Sequence, residues 1–195
     1  MTKTKEAGDE REVEVKIYSI ATSLTESIIF LDETGGTRIL PIWIGPMEAQ
    51  AIAIRLSGYP SPRPMTHDLI FSMLKTIGLR VEKVVISDIV ENTYFSAIII
   101  TGPDGENPVH IDARPSDAVA VAVRFGCPIY ISEQVFSKTQ ILSKPISEDE
   151  VTKFRHDLKH LKPKDIINQL LSAPSEDEED DEEESGPGEG KDEQV

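Results

Sequence analysis

The sequence predicts an α+β fold: a β-β-β-α(-α) unit duplicated within one domain, a mostly antiparallel sheet, C-terminal helices and a disordered acidic tail. Three observations carry this. First, residues 45–60 recur at 114–128 as Pro-x-acid-Ala-x-Ala-aliphatic-Ala-aliphatic-Arg-apolar, then Gly-x-Pro. Second, the same offset of 69 residues works upstream, placing Val15, Ile17 and Ile20 on Val84, Ile86 and Ile89, Gly36 on Gly105, and Ile42 on Ile111. Third, Val13, Val15 and Ile17 alternate with charged residues ahead of the first copy, the period of a half-buried strand. Two copies are too few for a solenoid, so they pair into one compact domain with an internal pseudo-two-fold axis.

Residues 1–11 are polar and expected to fray. In copy one, about 12–58, strands are expected near 13–17, 27–31 and 39–44, the last two joined by Asp32-Glu33-Thr34-Gly35-Gly36 as a hairpin turn. Gly45-Pro46 then opens a helix, because proline costs nothing at a first helical position where its missing N–H has no partner anyway. Gly58 stops it. The alternating Ala/Ile run inside could pass for a strand; the Pro start, Gly stop and alanine content decide for helix. Copy two, about 81–126, repeats the plan with strands at 81–90, 94–101 and 109–113 and a helix at 115–125. Between the copies lies the stiff Ser61-Pro62-Arg63-Pro64 loop, then a helix capped by Thr66 with Leu69, Ile70, Met73, Leu74 and Ile77 on one face. A shorter counterpart is expected at 132–138. Ser147 with Glu150 matches a capping box and starts a C-terminal helical segment at 145–172.

Charge divides the chain. The net charge is −15, but twelve acids and one lysine fall from Ala173 onward, leaving 23 acids against 19 bases in the rest. Residues 173–195 cannot bury enough apolar surface to offset chain entropy and are expected to be disordered. A solubilising role is expected for this tail; a nucleic-acid mimic occupying a basic groove is the alternative. The single cysteine, Cys127, excludes an intrachain disulfide and reads as a small packed residue. No apolar run approaches the 18 residues of a membrane span, and no signal-like segment opens the chain, so a cytoplasmic protein with no membrane partner is expected.

The mismatches between the copies point to chemistry. Pro41, Trp43, Gly45 and Met47 become His110, Asp112, Arg114 and Ser116. Copy two therefore carries His110-Ile111-Asp112-Ala113-Arg114-Pro115-Ser116-Asp117 across a strand-to-helix junction, where free backbone N–H groups meet solvent and anions bind. Two carboxylates, an arginine and a serine there suit a divalent metal and a phosphate; equally, Asp112 and Arg114 could form an ion pair that fixes the junction. Glu48 and Asp117 occupy first helical turns, where the helix dipole alone favours a carboxylate. His67 beside Asp68 could ligate metal or act as general base, or simply belong to a helix start. His156 and His160 have two-ligand helical spacing, but lysines and Asp157 around them describe a solvated face. No phosphate-binding glycine loop, nucleophile elbow, zinc knuckle or dinucleotide fingerprint is present.

Three segments carry a resemblance: 40–49 (LPIWIGPMEA), 63–69 (RPMTHDL) and 111–118 (IDARPSDA). In this order they resemble the bifunctional nuclease domain family, over roughly residues 12–140. The resemblance implies an α+β fold, often oligomeric, and nuclease activity on DNA and RNA. Joined to the residue reading, it predicts a metal-dependent phosphodiesterase. Glu48, Asp112 and Asp117 would hold magnesium or manganese, and His67 or Asp68 would activate water, with Asp112 and Asp117 also in the catalytic set. Arg63, Arg114 and Ser116 would bind substrate. The expected partners are nucleic acid and further copies of the chain. The competing expectation is a non-catalytic oligomeric binding module in which the same ionic residues are structural.

Overall fold

The computed structural model describes residues 11–144 except Leu24, together with His156. The expected frayed N-terminus (apart from residue 11), the helical segment at 145–172 (apart from His156), His160 and the acidic tail lie outside the described residues. Twelve elements follow in chain order: β1 (Glu12–Thr22), β2 (Ser27–Glu33), β3 (Arg38–Ile44), α1 (Pro46–Leu56), α2 (Thr66–Thr76), β4 (Arg80–Val90), β5 (Thr93–Thr101), β6 (Val109–Ala113), α3 (Pro115–Phe125), β7 (Ile129–Ser132), α4 (Glu133–Lys138) and β8 (Leu142–Ser143).

All eight strands form one sheet in the order β6-β5-β4-β7-β1-β2-β3-β8. Every pairing is antiparallel except β4 with β7. The duplication is visible in that order: copy two's meander β6-β5-β4 faces copy one's β1-β2-β3 across β7. Each meander has its own tight turns. The β4–β5 hairpin turns on Glu91 and Asn92, both at positive φ (48° and 61°), the handedness that two-residue hairpins require.

The structure adds two strands to those expected, and β7 has a physical explanation. A slot between two pseudo-symmetric halves lies on their axis, so only one copy can fill it. After its helix, copy two continues as Pro128-Ile129-Tyr130-Ile131, whose Ile129 and Ile131 are buried in the core. Copy one continues as Pro60-Ser61-Pro62-Arg63-Pro64, and three prolines in five residues remove the donors that a central strand needs. The asymmetric strand therefore comes from copy two. Strand β8 is two residues long, too short for a period to mark it.

One sheet face carries α1 and α3, which pack on each other and on the strands. Their alanine-rich sides make this close approach possible: Ala49, Ala51 and Ile52 of α1, and Ala118 to Ala122 of α3, are buried. They join Val15, Ile29, Leu31, Leu40, Ile42, Val84 and Ile86 in the main core. The alternate residues Ile28, Phe30 and Ile39 form a smaller cluster on the opposite face, as the two-residue side-chain period demands.

Helix α2 is seated differently. None of its residues is fully buried, and Leu69, Met73 and Ile77 are exposed on its outer side. Phe71 meets Phe125 of α3 edge-on, with ring centroids 4.7 Å apart. Its start also differs from expectation: Met65, not Thr66, is the capping residue, and the Asp68 carboxylate accepts the Met65 N–H at 2.9 Å. Asp68 thus supplies the capping oxygen from inside the first turn, where a negative charge is also favoured by the dipole.

Candidate functional site

Four ionisable residues from three segments converge where the two copies meet. The starts of α1, α2 and α3 bring Glu48, His67 and Asp117 to one open cleft of about 650 Å³, with Arg114 at the end of the β6–α3 junction. Ile98, Ile100, Ile111 and Val121 give it an apolar floor.

The polar contacts centre on Asp117. One carboxylate oxygen faces His67 Nε2 at 3.2 Å and also accepts Arg114 Nη2 at 3.2 Å; the other accepts Arg114 Nε at 2.8 Å. The same guanidinium reaches across to copy one, donating to Glu48 Oε1 at 3.0 Å. A glycine accommodates this reach. A Cβ at Gly45 would meet Glu48 Oε2, the flexible end of that side chain, so the glycine leaves room for Glu48 to fold back over its own helix start.

Burial pushes the Asp117 carboxyl up, but the hydrogen bonds and charges of Arg114 and His67 outweigh it and hold the group below the ordinary carboxylate range. Asp117 is then an acceptor only, so the facing His67 nitrogen carries a proton and donates it to the carboxylate. His67 is largely buried (12% exposed) while Arg114 is two-thirds exposed (66%). The arginine is therefore the solvent-facing member of the cluster. The Arg114 guanidinium is held more firmly protonated by Asp117 first and Glu48 second.

Asp68 does not join this cluster. Its other oxygen pairs with Nε of Arg124, a buried α3 residue that also donates to the carbonyls of Ala120 (2.9 Å) and Ala51 (3.3 Å). Burial raises the Asp68 carboxyl, yet the Met65 N–H and Arg124 bring it below its usual range. This pair is what seats α2, and with it His67, against α3. Arg124 was visible in the sequence only as the repeated helix arginine, matching Arg55; nothing there distinguishes the buried copy from the exposed one.

The remaining expected residues separate. Asp112 lines the cleft but makes no hydrogen bond or ion pair among the described residues; Arg114 chooses Asp117 and Glu48 instead. The alternative Asp112–Arg114 pair does not form, because the Arg114 guanidinium is taken up by Asp117, three residues on in α3, and by Glu48 of α1. Ser116 is buried and lines a different cavity. Arg63 is exposed and lines neither cavity. Among the described residues no group of three or more His, Cys, Asp or Glu side chains is spaced to hold a metal ion, and no helix is long and apolar enough to cross a membrane. Cys127 is half-buried, and burial pushes its thiol up to about 11, which marks an unreactive packed residue.

Fold and cleft together define a duplicated α+β domain with a polar cluster at the second strand–helix junction. The chain belongs to the bifunctional nuclease domain family: the family model matches residues 28–144. An uncharacterised protein of Mycobacterium tuberculosis is 36% identical over 164 residues, covering 78% of this chain and 97% of that one. Bifunctional nuclease 1 of Oryza sativa subsp. japonica is 26% identical over 110 residues, and Bifunctional nuclease 2 of Arabidopsis thaliana 27% over 108. Those matches cover 56% and 55% of this chain but only 33% of each plant protein.

Proposed function

We propose that the cleft hydrolyses phosphodiester bonds of DNA or RNA. The observation that carries this reading is the convergence of Glu48, His67, Arg114 and Asp117 on one cleft, supported by the names of the plant relatives. Arg114 is the phosphate contact: its fork is shaped for two oxygens of one anion, and a phosphate arriving at the exposed guanidinium competes with Asp117 and Glu48 for it. His67, oriented through Asp117, is the general base, taking a proton from water at Nδ1. His67 and Asp117 are kept in the expected catalytic set, and Asp68 leaves it because it is committed to Arg124.

The expected divalent metal fits the donor chemistry in part. Magnesium and manganese need only one or two carboxylates plus water, and Glu48 and Asp117 are that pair once Arg114 has turned to the phosphate. Asp112 does not join them. A bound metal would stabilise charge on the transferring phosphoryl group.

The test is turnover of single-stranded DNA and RNA by the purified chain, with magnesium, manganese or a chelator. His67→Ala and Asp117→Asn are each expected to lower the rate on the order of 100-fold, the usual contribution of a positioned base. Wild-type rates in both variants would refute the assignment. The second reading is a non-catalytic oligomeric module, favoured by the exposed apolar side of α2 (Leu69, Met73, Ile77). Absence of turnover in every metal, with self-association through α2, would select it.

A further inference from the structure

A second open cavity, of about 420 Å³, lies on the other side of Arg114. Arg114, Pro115 and Ser116 of the α3 start form one wall; Trp43, Tyr94 and Glu26 are among the residues completing it. Arg114 lines both cavities and so divides them.

Three features of the α3 start suit an anion here. The first turn of α3, an eleven-residue helix, has no side-chain cap, so its leading N–H groups keep their partial positive charge unpartnered by a side chain. Ser116 is only 6% exposed, yet its hydroxyl has no hydrogen-bond partner among the described residues, and it lines this cavity. Its oxygen is not sealed from solvent, so water or a ligand in the cavity can complete it. The guanidinium of Arg114 adds a positive charge, partly offset by Asp117 and Glu48.

The duplication supplies an internal control. Copy one has the same helix start, Pro46 after a strand, but with Gly45 and Met47 in place of Arg114 and Ser116. Met47 is exposed and Gly45 carries no charge. The α3 start therefore differs from α1 by the two groups that would bind an anion. Glu26 is the single acid lining the cavity; it repels a second phosphate and suits a hydroxyl or amino donor at the far end, and the aromatic wall offers a stacking surface.

We infer that this cavity binds the phosphate of a nucleotide through Ser116, the α3 N-terminus and Arg114, with the nucleoside lying toward Trp43 and Glu26. It rests on the proposed function for the wider context: a strand crossing Arg114 would place one phosphate in the cleft and the neighbouring nucleotide here. An unpaired base enters such a cavity and a base pair does not, so single strands are the favoured form.

Trp43 is the only tryptophan in the chain, so its fluorescence reports occupancy directly. Thymidine 5′-monophosphate, inorganic phosphate and a short oligothymidylate are titrated into the full chain with a chelator present, which separates binding from turnover. Saturable fluorescence change with the monophosphate is expected, with inorganic phosphate weaker. Ser116→Ala should weaken monophosphate binding about tenfold, as loss of one hydrogen bond to a charged group does. Unaltered affinity in Ser116→Ala, or no fluorescence response in the wild type, overturns the subsite. Inorganic phosphate binding as tightly as the monophosphate overturns the nucleoside assignment. Failure of turnover with monophosphate binding intact would sink the hydrolytic reading alone and leave the subsite standing.

Discussion

Replacing Arg124 with methionine tests how the cleft is assembled. The Arg124 side chain is 3% exposed and its partner Asp68 is 32% exposed. Arg124→Met keeps most of the buried volume but leaves Asp68 without its cation and the Ala51 carbonyl without its donor. Breaking a buried pair from one side costs about 3–5 kcal/mol. Asp68 is partly solvated and keeps the Met65 N–H, so the lower end, about 3 kcal/mol, applies. For a domain of this size each kcal/mol moves the melting temperature by roughly 3–4 °C, giving a fall of about 10 °C by circular dichroism. Asp68→Asn in the same background should cost much less than it does alone, because the partner it would orphan is already gone. Since α2 has no fully buried residue of its own, the same variant should also lower turnover by displacing His67. A melting temperature within about 2 °C of wild type would refute the idea that this pair seats α2.

Two further outcomes follow from the charged groups. Glu33 and Glu133, bonded to Arg38, and Asp68 and Asp117 are all held below their ordinary range in the folded state. Depressed carboxylates contribute stability that is present above the unfolded value near 4 and is lost as pH falls through the folded values; the urea midpoint should therefore drop steeply below about pH 4, and a flat profile there would contradict the assignment. Cys127, with its thiol raised to about 11, should react with an aromatic disulfide at pH 8 far more slowly in the native chain than in urea, and equal rates would overturn its reading as a packed residue.

Local patterns in the sequence determined much of this protein. The 69-residue repeat, the Pro starts and Gly stops of α1 and α3, and the alternating strands are set within a few residues by backbone geometry and burial, and they hold in the structure. The mismatches that put Arg114 where copy one has Gly45 mark the junction at which Asp117, Glu48 and Arg114 meet. What only the tertiary structure decided is which charges meet. Arg114 pairs with Asp117 and Glu48 rather than Asp112, Asp68 goes to Arg124 rather than to His67's chemistry, and Ser116 turns into a separate cavity. Those outcomes depend on how α2 and the two copies dock. Docking is fixed by contacts 50 to 70 residues apart, such as His67 with Asp117 and Arg114 with Glu48, and no local period encodes such contacts. The same holds for β7: its residues were legible as apolar, but its place on the axis exists only once two copies face each other and one of them is barred by proline.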